Sequence, residues 1–189
     1  MRLALTDAPP GPPPKPRADA PPEPVGGACA EDGLAPVGGG PVGTPAPEVV
    51  GTDAKGTTFK LSAQKGKFAI VYFYPKDDTP GCTKEACAFR DAFDKFVAAG
   101  VTIFGVSHDA EPSHKAFMQK YTLPFPLVAD TAGAVQKAYH VPNSIWGTTK
   151  RVSFLVGPDG KVARVFPDVD PGVHAKELLG VIASLKGAK

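Results

Sequence analysis

The sequence is short of cysteine, of long apolar runs and of charge of one sign. Its three cysteines in 189 residues are too few for a disulfide-stapled secreted scaffold. Its longest strongly apolar stretch, residues 68–74, falls far short of the roughly 18 residues that span a bilayer, so no membrane segment is predicted. A net charge of +2, without a basic run or stripe, gives no sign of nucleic-acid binding. The N-terminus has no signal-peptide core, and we expect a cytoplasmic protein.

Aromatic residues are missing from the first 47 positions, which instead hold 13 of the 22 prolines and 8 of the 21 glycines. Such a segment cannot bury enough apolar surface to offset the entropy of ordering it. All 16 aromatic residues lie further on. We therefore predict a disordered Pro/Gly-rich tail over residues 1–44 and one domain over residues 45–189.

The rest of the chain alternates between strand and helix patterns. Residues 48–61 read as a hairpin, 68–74 as a central strand and 151–156 with 162–166 as a second hairpin, while 101–107 and 125–128 read as strands. Helices are predicted over 80–99, 111–121, 131–139 and 173–185. One face of the first helix carries Phe89, Phe93, Phe96 and Val97. This order predicts an α/β protein with a thioredoxin-like fold: a mixed central sheet flanked by helices, with an N-terminal β-hairpin.

The most distinctive residues lie where the central strand meets the first helix. Thr79 followed by Pro80 is typical of an N-cap followed by proline at the first helical position, which places Cys82 in the first turn. There the sulfur faces unpaired backbone N–H groups and the positive end of the helix dipole. Both favour the thiolate, so Cys82 is a candidate nucleophile.

A second cysteine, Cys87, follows five residues later. In an intact helix this spacing separates the two Cα atoms by about 8.7 Å. Disulfides require Cα atoms within roughly 7 Å, so a bond between Cys82 and Cys87 needs local unwinding. Cys87 is then either half of a conformational redox switch or a small buried apolar residue on the helix.

Other chemistries fit the residues less well. The cysteine spacing is not that of a zinc pair, and the four histidines, His108, His114, His140 and His174, are scattered without ligand spacing. Ser107-His108-Asp109 is not a catalytic triad, because neighbouring side chains in a strand point apart. A thioredoxin-type reductase has two residues between its cysteines, whereas four stand here.

The pattern Pro75-x-x-x-Thr79-x-x-Cys82, followed by Glu85-Ala86-Cys87-Ala88-Phe89-Arg90-Asp91, resembles the active-site motif of peroxiredoxins. With Cys87 at this distance, it is similar to the Q subgroup, also called bacterioferritin comigratory proteins. The resemblance extends from about Pro45 to the C-terminus. The tail and its Cys29 lie outside it.

The resemblance implies a thiol peroxidase. Cys82 would attack a hydroperoxide and become a sulfenic acid, and Cys87 would condense with it to a disulfide that thioredoxin or a similar dithiol reduces. Thr79 would hydrogen-bond the thiolate and the peroxide, and Pro75 would shield the sulfur from water. Arg151, at the start of a hairpin strand, would stabilise the thiolate and the departing oxygen. No metal, haem or flavin cofactor is implied, and subgroup members are often monomers, with a dimer as the alternative.

The sequence leaves several other interpretations open, for single residues and for the whole protein. Glu85 either stabilises the helix start through its dipole or is solvated, and Arg90 holds the helix in place. A redox-sensing interaction protein could use the same disulfide switch, with the proline-rich tail as its docking element. A metal-binding thiol protein is disfavoured by the ligand count.

Overall fold

The computed structural model describes residues 42–145 and 147–187. Apart from its last three residues, the tail predicted for residues 1–44 lies outside the described part, as does Cys29. Those three residues run beside the final strand of the sheet. The N–H of Gly43 donates to the carbonyl of Val162 at 2.8 Å, and the N–H of Val162 donates to the carbonyl of Thr44 at 2.9 Å.

Within the described residues, seven strands form one mixed sheet: β1 (Val50–Thr52), β2 (Thr58–Lys60), β3 (Phe68–Phe73), β4 (Val101–Ser107), β5 (Leu127–Ala129), β6 (Val152–Val156) and β7 (Val162–Phe166). Their order is β2-β1-β5-β4-β3-β6-β7. The central strand β3 is parallel to β4 and antiparallel to β6. Both predicted hairpins, β1–β2 and β6–β7, are present.

Helices cover both faces of this sheet: α1 (Pro80–Asp91), α2 (Phe93–Ala98), α3 (Glu111–Tyr121), α4 (Ala134–Ala138) and α5 (His174–Gly187). Side chains alternate along β3, so Ile70 and Tyr72 enter the core under α1, α2, α3 and α5. Val71 and Phe73 enter the opposite core, which α4 and the N-terminal segment close. The predicted mixed sheet between helices is therefore present. None of the described helices is both long and apolar enough to cross a membrane.

The single helix predicted over residues 80–99 is wrong, because the chain turns at Ala92. That residue has φ −98° and ψ 4°, outside the helical region, and it separates α1 from α2. Phe89 and Phe96 still meet in the core with ring centroids 5.9 Å apart. Val97, predicted on the same buried face, is 56% exposed because α2 starts in a new orientation.

Two other boundaries moved for local backbone reasons. The strand predicted over residues 125–128 begins only at Leu127, since Pro126 has no N–H to donate to a ladder. The helix predicted over residues 131–139 is limited to Ala134–Ala138. It follows Gly133, whose φ of 67° is left-handed. Because a right-handed helix cannot include this conformation, α4 begins only at Ala134.

The sheet register brings the two ends of the candidate site together. The loop Pro75–Thr79 leaves the carboxyl end of β3 and leads into α1. Because β3 and β6 are antiparallel, Phe73 at that end pairs with Val152, the first residue of β6. Arg151 directly precedes Val152, so it lies beside the start of α1.

Candidate active site

The start of α1 has the predicted geometry. Thr79 is the N-cap, with an extended backbone at φ −84° and ψ 151°, and Pro80 is the first helical residue. The carbonyl of Thr79 accepts the first helical hydrogen bond from Thr83 N–H at 2.8 Å. Cys82 thus lies in the first turn, where the orphan N–H groups and the helix dipole favour negative charge. Its side chain is 2% exposed and belongs to the core beneath the helix.

A fixed cation contacts the sulfur. Nη2 of Arg151 donates to Sγ of Cys82 at 3.4 Å, and Nη1 of the same guanidinium pairs with the carboxylate of Glu85. Burial lowers the pKa of Arg151, but the charges of Glu85 and Cys82 raise it by more, so the net shift is upward. The guanidinium is therefore a permanent positive charge in contact with the sulfur.

Glu85 is buried, not solvated or at the helix start, so both earlier interpretations of it are wrong. It lies in the second turn of α1 and is 1% exposed. Burial raises the pKa of Glu85 to about 7, and the opposing charge and hydrogen bond of Arg151 hold it from rising further. Its second oxygen, Oε1, has no hydrogen-bond partner among the described residues. The sequence feature that could have placed Glu85 at the site is its spacing, because it comes three residues after Cys82 and so lies on the same face of the helix.

Gly81 leaves space for this guanidinium. A Cβ atom at this position would lie 3.2 Å from Nη2 of Arg151, closer than an ordinary van der Waals contact. The helix backbone can therefore approach Arg151 because the residue before Cys82 has no side chain. Glycine at this position was not singled out from the sequence.

The two other loop residues of the motif lie at opposite ends of the Pro75–Thr79 segment. Pro75 is half-buried and directly follows the strand region of the central sheet. The hydroxyl of Thr79 donates to the carbonyl of Lys76 at 3.2 Å, and it makes no side-chain capping bond. Its oxygen keeps acceptor capacity in this arrangement, whereas donation toward the sulfur requires the hydroxyl to rotate.

Cys87 lies on the same helix but is not brought to the site. It is half-buried and free, and α1 is helical throughout the segment that joins it to Cys82. Arg90, one turn further, donates from Nη1 to the carbonyl of Tyr121 at the end of α3, at 2.9 Å. This contact fits the expectation that Arg90 holds the helix in place.

Two aspartates tie the Pro75–Thr79 loop to α3, and neither was identified from the sequence. Asp77 is buried and accepts hydrogen bonds from Tyr74, Ser113 and His114. Asp78, at a left-handed φ of 56°, forms an exposed ion pair with Lys120 at 2.6 Å. The loop is thus anchored once inside the protein and once at its surface.

The histidines that are scattered in the sequence differ in burial. In the part of the chain that the structure describes, no group of three or more His, Cys, Asp or Glu side chains is placed to hold an ion. His108 and His140 are exposed, whereas His114 and His174 are buried. The adjacent Ser107 and Asp109 hydrogen-bond each other at 2.8 Å, and the exposed His108 between them points elsewhere, as expected for a strand end.

The mixed sheet between helices is that of a thioredoxin-like protein, and an arginine before the neighbouring strand β6 contacts a cysteine in the first turn of α1. Comparison with known proteins makes this more specific. The AhpC/TSA family profile matches residues 42–165. The chain is 45% identical over 136 residues to the chloroplastic peroxiredoxin Q of Sedum lineare, covering 71% of this chain and 73% of that protein.

A bacterial relative and a solved structure agree with this match. The putative peroxiredoxin bcp of Coxiella burnetii is 40% identical over 145 residues, covering 74% of this chain and 96% of that one. The structure of Xanthomonas campestris peroxiredoxin Q superposes with a TM-score of 0.66 at 34% identity, covering 72% and 90% of the two chains. The chain therefore belongs to the AhpC/TSA family, within which it is similar to peroxiredoxin Q and bcp proteins. The predicted fold, family and thiol peroxidase class are confirmed.

Proposed function

We propose that Cys82 reduces hydrogen peroxide and organic hydroperoxides, with Cys87 as the residue that resolves the oxidised form. The observation that carries this proposal is the contact of Arg151 with a sulfur in the first turn of α1, at 3.4 Å. Peroxiredoxins use peroxide substrates and thioredoxin-type reductants in general. The bacterioferritin comigratory protein of Xanthomonas campestris has alkyl peroxide reduction activity, which supports organic peroxides as substrates here.

In the first step the thiolate of Cys82 attacks one oxygen of the O–O bond. The sulfur is oxidised to a sulfenic acid, and the other oxygen leaves with its electron pair and takes up a proton to form water or an alcohol. Arg151 stabilises the thiolate before the attack and the negative charge on the departing oxygen during it. Thr79 accepts a hydrogen bond from the peroxide, and Pro75 limits the access of water.

In the second step the thiol of Cys87 attacks the sulfenic sulfur, forming a disulfide and releasing water. The continuous helix of the reduced state holds the two Cα atoms about 8.7 Å apart, beyond disulfide reach. The first turns of α1 therefore unwind before this bond forms. Thioredoxin or a similar dithiol then reduces the disulfide by thiol exchange and restores the helix.

We further propose that the protein works as a monomer in the cytoplasm, without a metal, haem or flavin. The two sulfurs of the cycle lie on one helix of one chain, so the chemistry needs no second copy. Neither nucleic acid nor membrane is part of the proposal. Residues 1–41, with Cys29, have no assigned role in this cycle.

Stopped-flow oxidation followed by mass spectrometry tests the proposal. The wild-type protein should consume peroxide far faster than an ordinary thiol and yield a Cys82–Cys87 disulfide. Cys87→Ser should keep the first step, accumulate sulfenic acid at Cys82 and lose turnover with thioredoxin, whereas Cys82→Ser should lose both. Cys29→Ser is the matched control and should change neither. Slow oxidation of the wild-type protein would overturn the enzyme proposal, and unchanged turnover in Cys87→Ser would assign resolution to another thiol.

A further inference from the structure

The hydrogen bonds around His114 determine where its protons lie. His114 is in the first turns of α3 and is 2% exposed. Its Nε2 lies 3.1 Å from the carbonyl oxygen of Val128, and its Nδ1 lies 2.9 Å from Oδ2 of Asp77. A carbonyl oxygen can only accept a hydrogen bond, so Nε2 carries a proton.

The other nitrogen faces a carboxylate that already accepts two hydroxyl groups. Tyr74 donates to Oδ1 of Asp77 and Ser113 donates to Oδ2, each at 2.7 Å. Burial raises the pKa of Asp77, but the hydrogen bonds from His114, Tyr74 and Ser113 and the charge of His114 lower it by more, to a net value below the ordinary one. The contact of Nδ1 is thus one of three hydrogen bonds that side chains make to this one carboxyl group.

The contact between His114 and Asp77 is buried on both sides. The side chains of His114 and Asp77 are 3% and 4% exposed. The backbone N–H of Asp77 donates to Oδ2 of Asp109 at 2.8 Å, so a second carboxylate fixes the same residue from the end of β4. Loss of the contact with His114 would leave a buried polar group without this partner, in a place that water does not reach.

Asp77 is the middle residue of the Pro75–Thr79 loop, two residues from each end. We propose that His114 is a positioning residue, which holds Asp77 and through it keeps Pro75 and Thr79 in place before the first turn of α1. This role rests on the proposed peroxidase function, because Pro75 and Thr79 act on the peroxide there. His114 itself does not touch the reacting atoms.

The contact is tested without any activity measurement. Amide hydrogen exchange over residues 76–79 should be faster in His114→Gln than in the wild-type protein, while exchange in α5 should stay the same. Equal exchange over residues 76–79 would show that His114 does not hold Asp77 and would overturn the proposal. This readout stays informative even if the peroxidase proposal fails.

The positioning role is tested by comparing two reactions of the same sulfur. In His114→Gln, the peroxide rate of Cys82 should fall about tenfold or more, because small displacements of reacting groups are costly. Its alkylation by iodoacetamide, which needs only the thiolate beside Arg151, should stay within about twofold. A merely structural loss would change both reactions and would also speed alkylation of Cys87. Equal changes in both reactions would therefore contradict the positioning role.

Two further variants complete the test. Lys120→Met removes the exposed pair with Asp78, which joins the same loop to the same helix, and should alter both rates by less than about twofold. If His114→Gln does not fold, Ser113→Ala removes one donor from the same Asp77 oxygen and should lower the peroxide rate a few-fold with alkylation unchanged. If Lys120→Met lowered the peroxide rate as much as His114→Gln, any contact between the Pro75–Thr79 loop and α3 would be sufficient. That result would contradict a specific role of His114.

Discussion

Helix α1 carries two cysteines in very different surroundings. Cys82 lies in the first turn, almost fully buried, with the guanidinium of Arg151 at 3.4 Å from its sulfur. Cys87 lies further along the same helix and is half-buried and free. Both residues are cysteines on the same helix. The difference between their sulfurs therefore comes from burial, from position along the helix dipole and from the contact of Cys82 with Arg151.

The contrast fits the separate tasks that we propose for the two thiols. A nucleophile needs its negative charge stabilised before the substrate arrives, and this needs fixed donors and a fixed cation. A resolving thiol needs instead to reach another sulfur, and a fixed environment would hinder that movement. The contact with Arg151 at Cys82 and the greater exposure of Cys87 fit these opposite requirements.

The largest expected effect comes from removing the cation. In Arg151→Met, the peroxide rate of Cys82 should fall by one to about three powers of ten, the scale of losing a preorganised charge. The alkylation rate of Cys82 at pH 7, measured by mass spectrometry, should fall relative to that of Cys87. The reason is that only Cys82 of these two residues has its sulfur in contact with Arg151.

Arg164→Met is the matched control, since Arg164 is an exposed residue of β7 that lies over the ring of Phe166. It should leave both rates within about twofold of the wild type. If Arg151→Met also changed the peroxide rate by less than about twofold, Arg151 would have to be removed from the site.

A smaller effect is expected from the carboxylate behind the arginine. The ordinary pKa of Glu85 is 4.5 and its folded value is about 7, so between these pH values the folded protein binds more protons than the unfolded chain. The free energy of unfolding should therefore fall as pH rises through this window, by about 3 kcal/mol from this group. Glu85→Gln should remove that part of the slope, measured by urea unfolding at several pH values from 4.5 to 8.

The control for this slope is Glu111→Gln, at an exposed position in the first turn of α3. It should leave the pH dependence of stability close to that of the wild type. An unchanged slope in Glu85→Gln would mean that Arg151 compensates the burial of Glu85 completely. The buried carboxylate near Cys82 would then not lower the free energy of unfolding.

The smallest effect is expected at Gly81. An alanine there places a Cβ atom 3.2 Å from Nη2 of Arg151, so the guanidinium must shift by a few tenths of an ångström. We expect a loss of about two- to tenfold in peroxide rate, since the charge is displaced but not removed. Gly180→Ala in α5, where a Cβ meets nothing within 4 Å, makes the same change without the contact and should leave the rate unchanged. Equal rates in the two variants would show that Arg151 accommodates the methyl group.

Local patterns predicted much of this architecture. The apolar run of β3, the Thr79-Pro80 helix start and the turn between β6 and β7 depend on neighbouring residues, and all three are present. Sequence periodicity did not predict the break between α1 and α2 at Ala92. The backbone turns there, and Phe89 and Phe96 on either side of the turn are both buried. Sequence periodicity also missed Glu85, whose solvated and buried states look the same in a sequence.

The sequence by itself determined the order of the elements, the location of Cys82 in a first helical turn and the distance along the helix to Cys87. These follow from backbone geometry and local hydrogen bonding, which act over a few residues. Only the tertiary structure decided that Arg151 touches the sulfur, that Glu85 is buried behind it and that His114 meets Asp77. Those contacts join residues 37 to 69 positions apart, and their strength depends on the exclusion of water, which no local pattern contains.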